Sequence, residues 1–586
     1  MKKFILLFLF LAYNFIIVSA DLNKVWDWDK LRQRPYPQWF TDAKFGIFIH
    51  WGVYSVPAYT YRNAYAEWFL RGLQAGDTLK INFMKRVYGE NFTYRDFAKL
   101  FKAELWNPDE WAKLFKEAGA KYVVLVSKHH DGYCLWPSKY ASGWNSVDVG
   151  PKRDIVGELT KAVRDNGLIM GLYYSLPEWN NKLFRWYTDP NDKVKEYVDK
   201  HMIPQLKELI TLYKPTLLFT DGEWFHKASD WHAQEMISFY YNTVGDSAIV
   251  NDRWGAGSNI GFRTPEYSSG IENSDRPWAE IRSIGRSFGL NRNEKLTDYL
   301  TAKEIIEILS KAVANGGGLI LNVGPKADGQ IPLIQQERLY QVGNWLKKYG
   351  EAIYGTEKFY KTGEKKVFYL QRIDTLLDFH WGRNTPGKPI TEDFFHAKWS
   401  GFIKVKQHGK YYFKCLADDS AKVIIANKLV IDSKNKNSKN NIKLKKDIFY
   451  PIEIEYYEKQ VEASFSFLIS QDNKNFQPVG KNLLYTDKSS KIHGLKAVYS
   501  SEDFYINYTK KDKDLYIIFY DFPENNKLTL NISKPYSNDC KIIFLADNSE
   551  LRSEFVNDKL EIDLSTIKCK NLLNNLAYVI KIKNYF

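Results

Sequence analysis

Between about residues 40 and 350, short unbroken apolar runs alternate with stretches whose apolar residues recur every three or four positions. The runs at 44–50, 122–126, 168–173, 216–220, 248–251 and 319–323 predict strands. The stretches at 107–118, 154–164, 192–213, 229–241, 301–313 and 334–348 predict helices. Pro108 stands where a first helical turn tolerates proline, and Thr301 with Glu304 forms a capping box. Strand-helix-strand repetition means parallel pairing through right-handed crossovers. Continuous rather than alternating apolar residues mean strands covered on both faces. So many units in some 300 residues predict a (β/α)8-like, TIM-type barrel. A doubly wound sheet would want a Gly-rich phosphate loop after its first strand, and His50-Trp51-Gly52-Val53 is not one.

After residue 356 the pattern changes to period two, as in 411–415 and 422–425, with turn residues between. The Lys/Asn/Ser run at 432–441 predicts an exposed loop, and a break near 487–491 sets off a last β stretch containing 515–519 and 528–532. All-β sandwich modules at 365–485 and 490–586 therefore follow a barrel domain at 21–356. The first twenty residues have a different character. Lys2 and Lys3 precede an apolar run from Phe4 to Val18, broken only by Asn14, and Ser19-Ala20 supply the small residues of a cleavage site. A signal peptide at 1–20 is expected, with the mature chain exported to a periplasm or secreted. No later segment is apolar enough over a sufficient length to span a bilayer, so no integral membrane segment is expected once the signal is removed.

Composition sharpens this picture at three points. With 44% hydrophobic and 26% charged residues, the 586-residue chain is not wholly disordered. The net charge of +14 is spread as single lysines among Asn, Asp and Glu, without a basic helix or Arg-rich arm, so nucleic acid is not an expected partner. The 18 Trp, 39 Tyr and 36 Phe suit a ligand with flat apolar faces, as sugars have, and equally suit several β-rich cores. Cys134, Cys415, Cys540 and Cys569 are far apart, which excludes zinc-ribbon and thioredoxin patterns; a Cys540–Cys569 pair stays open.

In a parallel barrel the chemistry lies where strands end. The apolar runs end in His50-Trp51-Gly52, in Lys128-His129-His130-Asp131-Gly132, in Tyr173-Tyr174-Ser175, in Asp221-Gly222-Glu223-Trp224 and in Asn251-Asp252-Arg253-Trp254. Each ending alone has a structural explanation: Asp-Gly makes turns, a single His is a satisfied core residue, and Arg253 pairs with a carboxylate. Five polar and aromatic endings together point to a binding site. His129 and His130 are adjacent, so on a strand they face opposite ways, and no HxH or HExxH pattern accompanies them; no metal and no cofactor is expected.

The stretch from Ala43 to Pro57 with Glu67-Trp68, the segment Ser127 to Tyr133, Asn251-Asp252-Arg253-Trp254-Gly255, and Gly317 with Leu319 through Asn322-Val323-Gly324-Pro325 resemble family 29 α-L-fucosidases. The resemblance spans about residues 24–356 and returns weakly after 490. With the leader's implication of export, it points to an exported fucosidase, and the resemblance itself implies a retaining exo-α-L-fucosidase that removes terminal α-L-fucosyl residues from glycans through a covalent fucosyl-Asp intermediate. The nucleophile motif falls on Asp221. The acid/base falls best on Glu266, in Thr264-Pro265-Glu266-Tyr267, with Glu272 and Glu280 as rivals. Two carboxyl groups are needed because one captures an oxocarbenium-like transition state while the other protonates the leaving oxygen. The implied sugar pocket is His50, Glu67, Trp68, His129, His130, Tyr173 and Arg253, with Phe288 against the fucose methyl. Two departures stand out: Phe219 where the family usually has Trp, and Ala279 after Pro277-Trp278 where many members have Glu.

Residues 365–485 resemble a PA14-like β-sandwich, on Asp378-Phe379-His380-Trp381, Trp399-Ser400-Gly401-Phe402, Gly409 to Phe413 and Ala417-Asp418-Asp419-Ser420. Some such modules hold sugar through calcium on an Asp pair, which Asp418-Asp419 matches; a rigid spacer is the plainer reading. The expected partner is a fucosylated oligosaccharide or glycoconjugate. The alternatives are a non-catalytic fucose-binding protein that keeps the barrel and a metal-dependent barrel hydrolase.

Overall fold

The computed structural model describes residues 22–586 apart from 185–193, 225, 269–270, 272–273, 383, 436–439, 460–461, 490, 536–538 and 568–575. The expected signal peptide at 1–20, the start of the helix expected from Asp192, the rival carboxylate Glu272, and Cys569 lie outside the described residues. Among the described residues no helix is long and apolar enough to cross a membrane.

Seven parallel strands form one curled sheet: β1 (Phe45–Ile49), β2 (Tyr122–Lys128), β3 (Ile169–Ser175), β4 (Leu217–Asp221), β5 (Ile249–Val250), β6 (Ala279–Ser283) and β7 (Gly318–Val323). Their spatial order is β5-β4-β3-β2-β1-β7-β6. Nearly every strand residue is buried, because helices cover the outer face and aromatic side chains fill the inner one. The covering helices include α1 (Pro108–Glu117), α2 (Ile155–Asp165), α3 (Ile203–Tyr213), α4 (Ala233–Val244), α5 (Ala302–Ala314) and α6 (Leu333–Tyr349). Their starts follow local chemistry. The Asn107 side chain accepts from the N–H groups of Asp109 and Glu110, and the Thr301–Glu304 capping box is formed. The stretch expected to be one helix from Asp192 to Tyr213 is interrupted by a π-turn at Val198–Met202 just before Pro204, whose missing N–H disrupts the i→i−4 ladder.

β6 has no counterpart among the strands expected from apolar runs. Ser283 pairs in register with Asn322 and its hydroxyl receives the Asn322 amide at 3.3 Å, so Ile281 and Ser283 face inward. Glu280 and Arg282 then face the helices, where Arg282 Nε donates to Glu280 Oε1 at 2.6 Å. Two buried charges satisfy each other on a strand that a hydrophobicity pattern passes over.

The gap between β5 and β6 is bridged by residues 262–266. The Phe262 N–H donates to Val250 O, the Ala279 N–H to Arg263 O and the Ile281 N–H to Pro265 O, at 3.1, 3.0 and 2.8 Å. Isolated parallel bridges join Asn251 to Phe262, Arg263 to Trp278 and Glu266 to Ile281. Gly261 permits this approach: its φ is +79°, and a Cβ there would lie 2.1 Å from the Asn251 carbonyl oxygen. The segment is an irregular eighth strand, and Glu266 stands at its C-terminal end.

The chain divides into two compact units, one of residues up to Glu266, Gly270–Thr362 and Tyr508–Phe586, the other of Gly363–Asn507 with Tyr267–Ser269. In the first, strands Asp514–Phe519, Tyr578–Lys583 and Lys541–Phe544 form antiparallel pairs behind α6. The Trp345 indole donates to Ala577 O at 3.1 Å, and Lys581 pairs with Glu351 at 3.0 Å. In the second, Phe395–Lys404 pairs antiparallel with Phe449–Tyr457, which also pairs with Ser420–Ile425. Gly409–Ala417 pairs with Ala463–Ser470 and Asn441–Leu444. Trp399, Phe413, Phe465, Phe467 and Tyr456 fill the core between the sheets.

Candidate active site

The C-terminal ends of the strands converge on Asp221, the last residue of β4. Asn251 carries the β4–β5 pairing past the end of β5: its side-chain amide accepts from the Thr220 N–H at 2.9 Å and donates to Thr220 O at 2.8 Å. This anchors Asp221 by its neighbour. The Tyr173 hydroxyl donates to Asp221 Oδ2 at 2.9 Å, and Arg253 Nη1 donates to Oδ1 at 2.7 Å. Burial alone would raise the Asp221 carboxyl; the Arg253 guanidinium outweighs it and holds the group well below the usual carboxylate range. Asp221 is therefore a carboxylate at any ordinary pH.

Arg253 also reaches the second carboxylate. Its Nη2 donates to Glu266 Oε1 at 2.6 Å and to Thr264 O at 3.1 Å, while Nε donates to Thr264 Oγ1 at 3.0 Å. One guanidinium thus ties the closing segment to β4, and its planar fork keeps the two carboxylates near each other. The rivals fare differently. Glu280 is 2% exposed on the helix-facing side of β6, so it is on the wrong face of the barrel, and Glu272 is not among the described residues. Ala279 opens β6, so a glutamate there would stand at the end of the strand remote from Asp221.

The remaining expected residues all gather round this pair. Glu67 is 1% exposed and its Oε2 accepts from the Gly289 N–H at 2.8 Å and from the Ser287 hydroxyl at 3.2 Å. Burial pushes its carboxyl up to about 7 against those hydrogen bonds. His50 lies between Phe288, stacked at 4.9 Å, and Tyr173 at 5.8 Å. His129 and His130 do not face opposite ways as expected for strand neighbours, because β2 ends at Lys128, and their rings are 4.5 Å apart. His129 stacks on Tyr173 at 5.9 Å, and burial drives the His129 pKa well below that of a free imidazole. His130 Nε2 is 3.5 Å from Asp221 Oδ2. Trp68, Trp179 and Trp224 form the wall beside His130: Trp68 stacks on Trp224 at 5.6 Å and meets Trp179 edge-on at 5.0 Å. Phe219 does not leave a hole where Trp is usual in the family, since it stacks under Tyr173 at 5.9 Å with the Arg253 guanidinium 5.4 Å from its ring.

Behind the pocket, Lys128 is fully buried. Its ammonium donates to Glu178 Oε1 at 2.8 Å and Gln205 Oε1 at 3.2 Å and sits 3.9 Å over the Tyr174 ring. Burial would raise Glu178, but Lys128 and His201 bring it to about 2. This pair fixes the loop after β3 against the one after β2, where the Trp179 N–H donates to His130 O at 2.7 Å. Sequence reasoning gave no role to Glu223, Ser175 or Asn322. Glu223, two residues past Asp221, is pushed up to about 7 by burial and by the Asp221 charge. Asn322 had a visible signal: a lone polar residue in the apolar run of β7.

A carboxylate pair bridged by one arginine, in an aromatic-walled pocket at the C-terminal end of a parallel β/α barrel sheet, is the apparatus of a glycoside hydrolase. Comparison with known proteins narrows the class. The profile of the family described as Alpha-L-fucosidase matches residues 16–351, that of the PA14 domain 347–471, and that of the Alpha-L-fucosidase C-terminal domain 501–583. The alpha-L-fucosidase of Dictyostelium discoideum is 42% identical over 367 residues, which are 61% of this chain and 79% of that one. The human tissue alpha-L-fucosidase is 41% identical over 371 residues, 61% of this chain and 78% of its own. The crystal structure of Thermotoga maritima alpha-fucosidase in complex with fucose superposes with a TM-score of 0.63 at 30% identity, over 95% of this chain and 99% of that one. The chain belongs to the α-L-fucosidase family.

Proposed function

We propose that this chain is an exported exo-α-L-fucosidase that removes terminal α-L-fucosyl residues from glycans with retention of configuration. Asp221 attacks the anomeric carbon and forms a fucosyl ester. Glu266 protonates the departing oxygen, then takes a proton from the water that breaks the ester. The observation that carries this reading is the Arg253 fork: one guanidinium donates to both carboxylates, so a charged nucleophile and a second carboxyl flank one bond. Double displacement, which the family resemblance implies, requires the two groups to stand about 5–5.5 Å apart, without room for an intervening water. Glu67 and the neutral histidines receive ring hydroxyls, Phe288 packs on the methyl, and Trp224, 40% exposed at the rim, faces the leaving group. The sandwich at 365–485 and the module at 490–586 are accessory to this chemistry.

The test is Asp221→Gly assayed on 4-nitrophenyl α-L-fucoside. Its rate is expected to fall at least ~1,000-fold with the fold intact by circular dichroism, and azide is expected to restore turnover with β-fucosyl azide as product. Near-normal activity removes Asp221 from the nucleophile role. A wild-type chain that binds fucose and cleaves no aryl fucoside is the binding protein instead.

A further inference from the structure

Two pocket histidines are each backed by a polar side chain whose own hydrogen bonds decide where the imidazole proton lies. Ser175 ends β3 and pairs in register with Asp221. Its hydroxyl oxygen is 2.8 Å from the Pro177 carbonyl oxygen, and also contacts His130 Nδ1. A carbonyl only accepts, so the single serine proton lies towards Pro177. The serine oxygen is then an acceptor towards His130, and His130 Nδ1 must carry the hydrogen. The arrangement repeats across the pocket. The Asn322 NH₂ donates to Phe288 O at 2.7 Å and to Ser283 Oγ at 3.3 Å, which turns its carbonyl to His50 Nδ1 at 2.6 Å. His50 Nδ1 must also be N–H.

We propose that Ser175 and Asn322 are positioning residues that hold His130 and His50 as Nδ1-protonated tautomers, so that each ring offers an unprotonated Nε2 that accepts a hydroxyl proton from the bound sugar. The inference deepens the fucosidase reading and rests on it for the identity of the sugar. His130 Nε2 is buried, has no hydrogen-bond partner among the described residues, and lies 3.5 Å from Asp221 Oδ2. Both atoms are acceptors, so they leave a slot that a hydroxyl next to the reacting carbon fills as donor. The charged groups around it are Asp221 on β4, Arg253 after β5 and Lys128 on β2; burial outweighs the Asp221 carboxylate and keeps the ring neutral. Burial likewise brings His50 down to about 4, so it is uncharged at the pH where a hydroxyl must donate to it. A pocket lined by acceptors selects a ligand by hydroxyls placed to donate, and a deoxy position opposite either ring leaves that nitrogen unmet.

The experiment is long-range nitrogen–proton correlation NMR on full-length enzyme with ¹⁵N-histidine, the two rings assigned by loss of signal in His130→Gln and His50→Gln. The wild type is expected to show Nδ1 protonated and Nε2 bare for both rings between pH 6 and 8. An imidazolium or an Nε2–H tautomer for either ring overturns the proposal. Ser175→Ala is expected to flip His130 to the Nε2–H form, which then donates to Asp221, and to lower kcat/KM on an aryl fucoside about 10–100-fold. Ser175→Thr keeps the hydroxyl and is expected to keep the tautomer and most of the activity. A purely structural serine would lower activity without moving the tautomer. If Ser175→Ala does not fold, the wild-type spectrum still decides. A wild type inert on aryl fucosides defeats the substrate reading, and the spectrum separately decides the tautomer.

Discussion

At the scale of single residues the two carboxyls differ in what they contribute to each bond broken. An acid helps most when the departing oxygen is a poor leaving group. Glu266→Ala should nearly abolish cleavage of fucosyl-oligosaccharides and slow the first step on a nitrophenyl fucoside far less. The second step still needs a base, so the fucosyl-Asp221 ester should accumulate and give a burst; azide should speed turnover and yield α-fucosyl azide. The same substitution at Glu280 is the control, and leaving-group dependence appearing there would transfer the role. Two pocket carboxyls contribute to a pH dependence of stability, in the same direction as Asp131, Glu294 and Glu458, which burial also raises. Glu67 and Glu223 hold their protons to about 7 in the fold, against about 4.3 in an unfolded chain. The folded state binds more protons in that window, so stability should fall as pH rises from about 4.3 to about 7 and level off above. Asp221 has the opposite sign, but its titration lies below this range. Melting followed by calorimetry should give a Tm several degrees higher at pH 5 than at pH 8, and Glu223→Gln should remove part of that difference. An unchanged slope in the variant would show that Glu223 is not one of the groups responsible.

At the scale of elements, what was legible followed from apolar continuity. β1, β2, β3, β4, β5 and β7 are runs of buried residues, and their polar endings marked Asp221, His50, His129, His130, Tyr173 and Arg253. β6 was hidden by Glu280 and Arg282, whose mutual pairing substitutes for hydrophobicity. The closing segment 262–266 was hidden for another reason: its bridges are isolated, so no period of two or of 3.6 repeats there. The tautomer-setting contacts of Ser175 and Asn322 depend on partners 2 to 272 residues away, and no local pattern encodes those. The Lys128–Glu178 pair belongs to the same hidden class. Removing one partner leaves a buried charge uncompensated, so Glu178→Ala should cost about 3–5 kcal/mol in denaturant unfolding. A cost near zero would mean that water reaches Lys128.

At the scale of the molecule, chemistry is concentrated in one barrel, while residues 363–507 have a core of their own. A chain lacking the module at 365–485 should retain most of its kcat/KM on small aryl fucosides. A soluble, folded deletion with no activity would show that the module shapes the cleft. The barrel itself is uneven in a way that bears on how such chains diverge. Seven strands are fixed to their neighbours by parallel ladders, with one register shift between β2 and β3 at Val126–Lys128, and a residue gained or lost in a ladder turns inside faces out. Asp221, the proposed nucleophile, stands in such a ladder, opposite Ser175. The second carboxyl stands on the seam, where isolated bridges and one arginine replace the ladder. Lengthening or shortening the loop ahead of that seam disturbs no register. With the roles proposed for Asp221 and Glu266, a change of length in that loop moves the group facing the leaving sugar and leaves the attacking carboxylate where it stands.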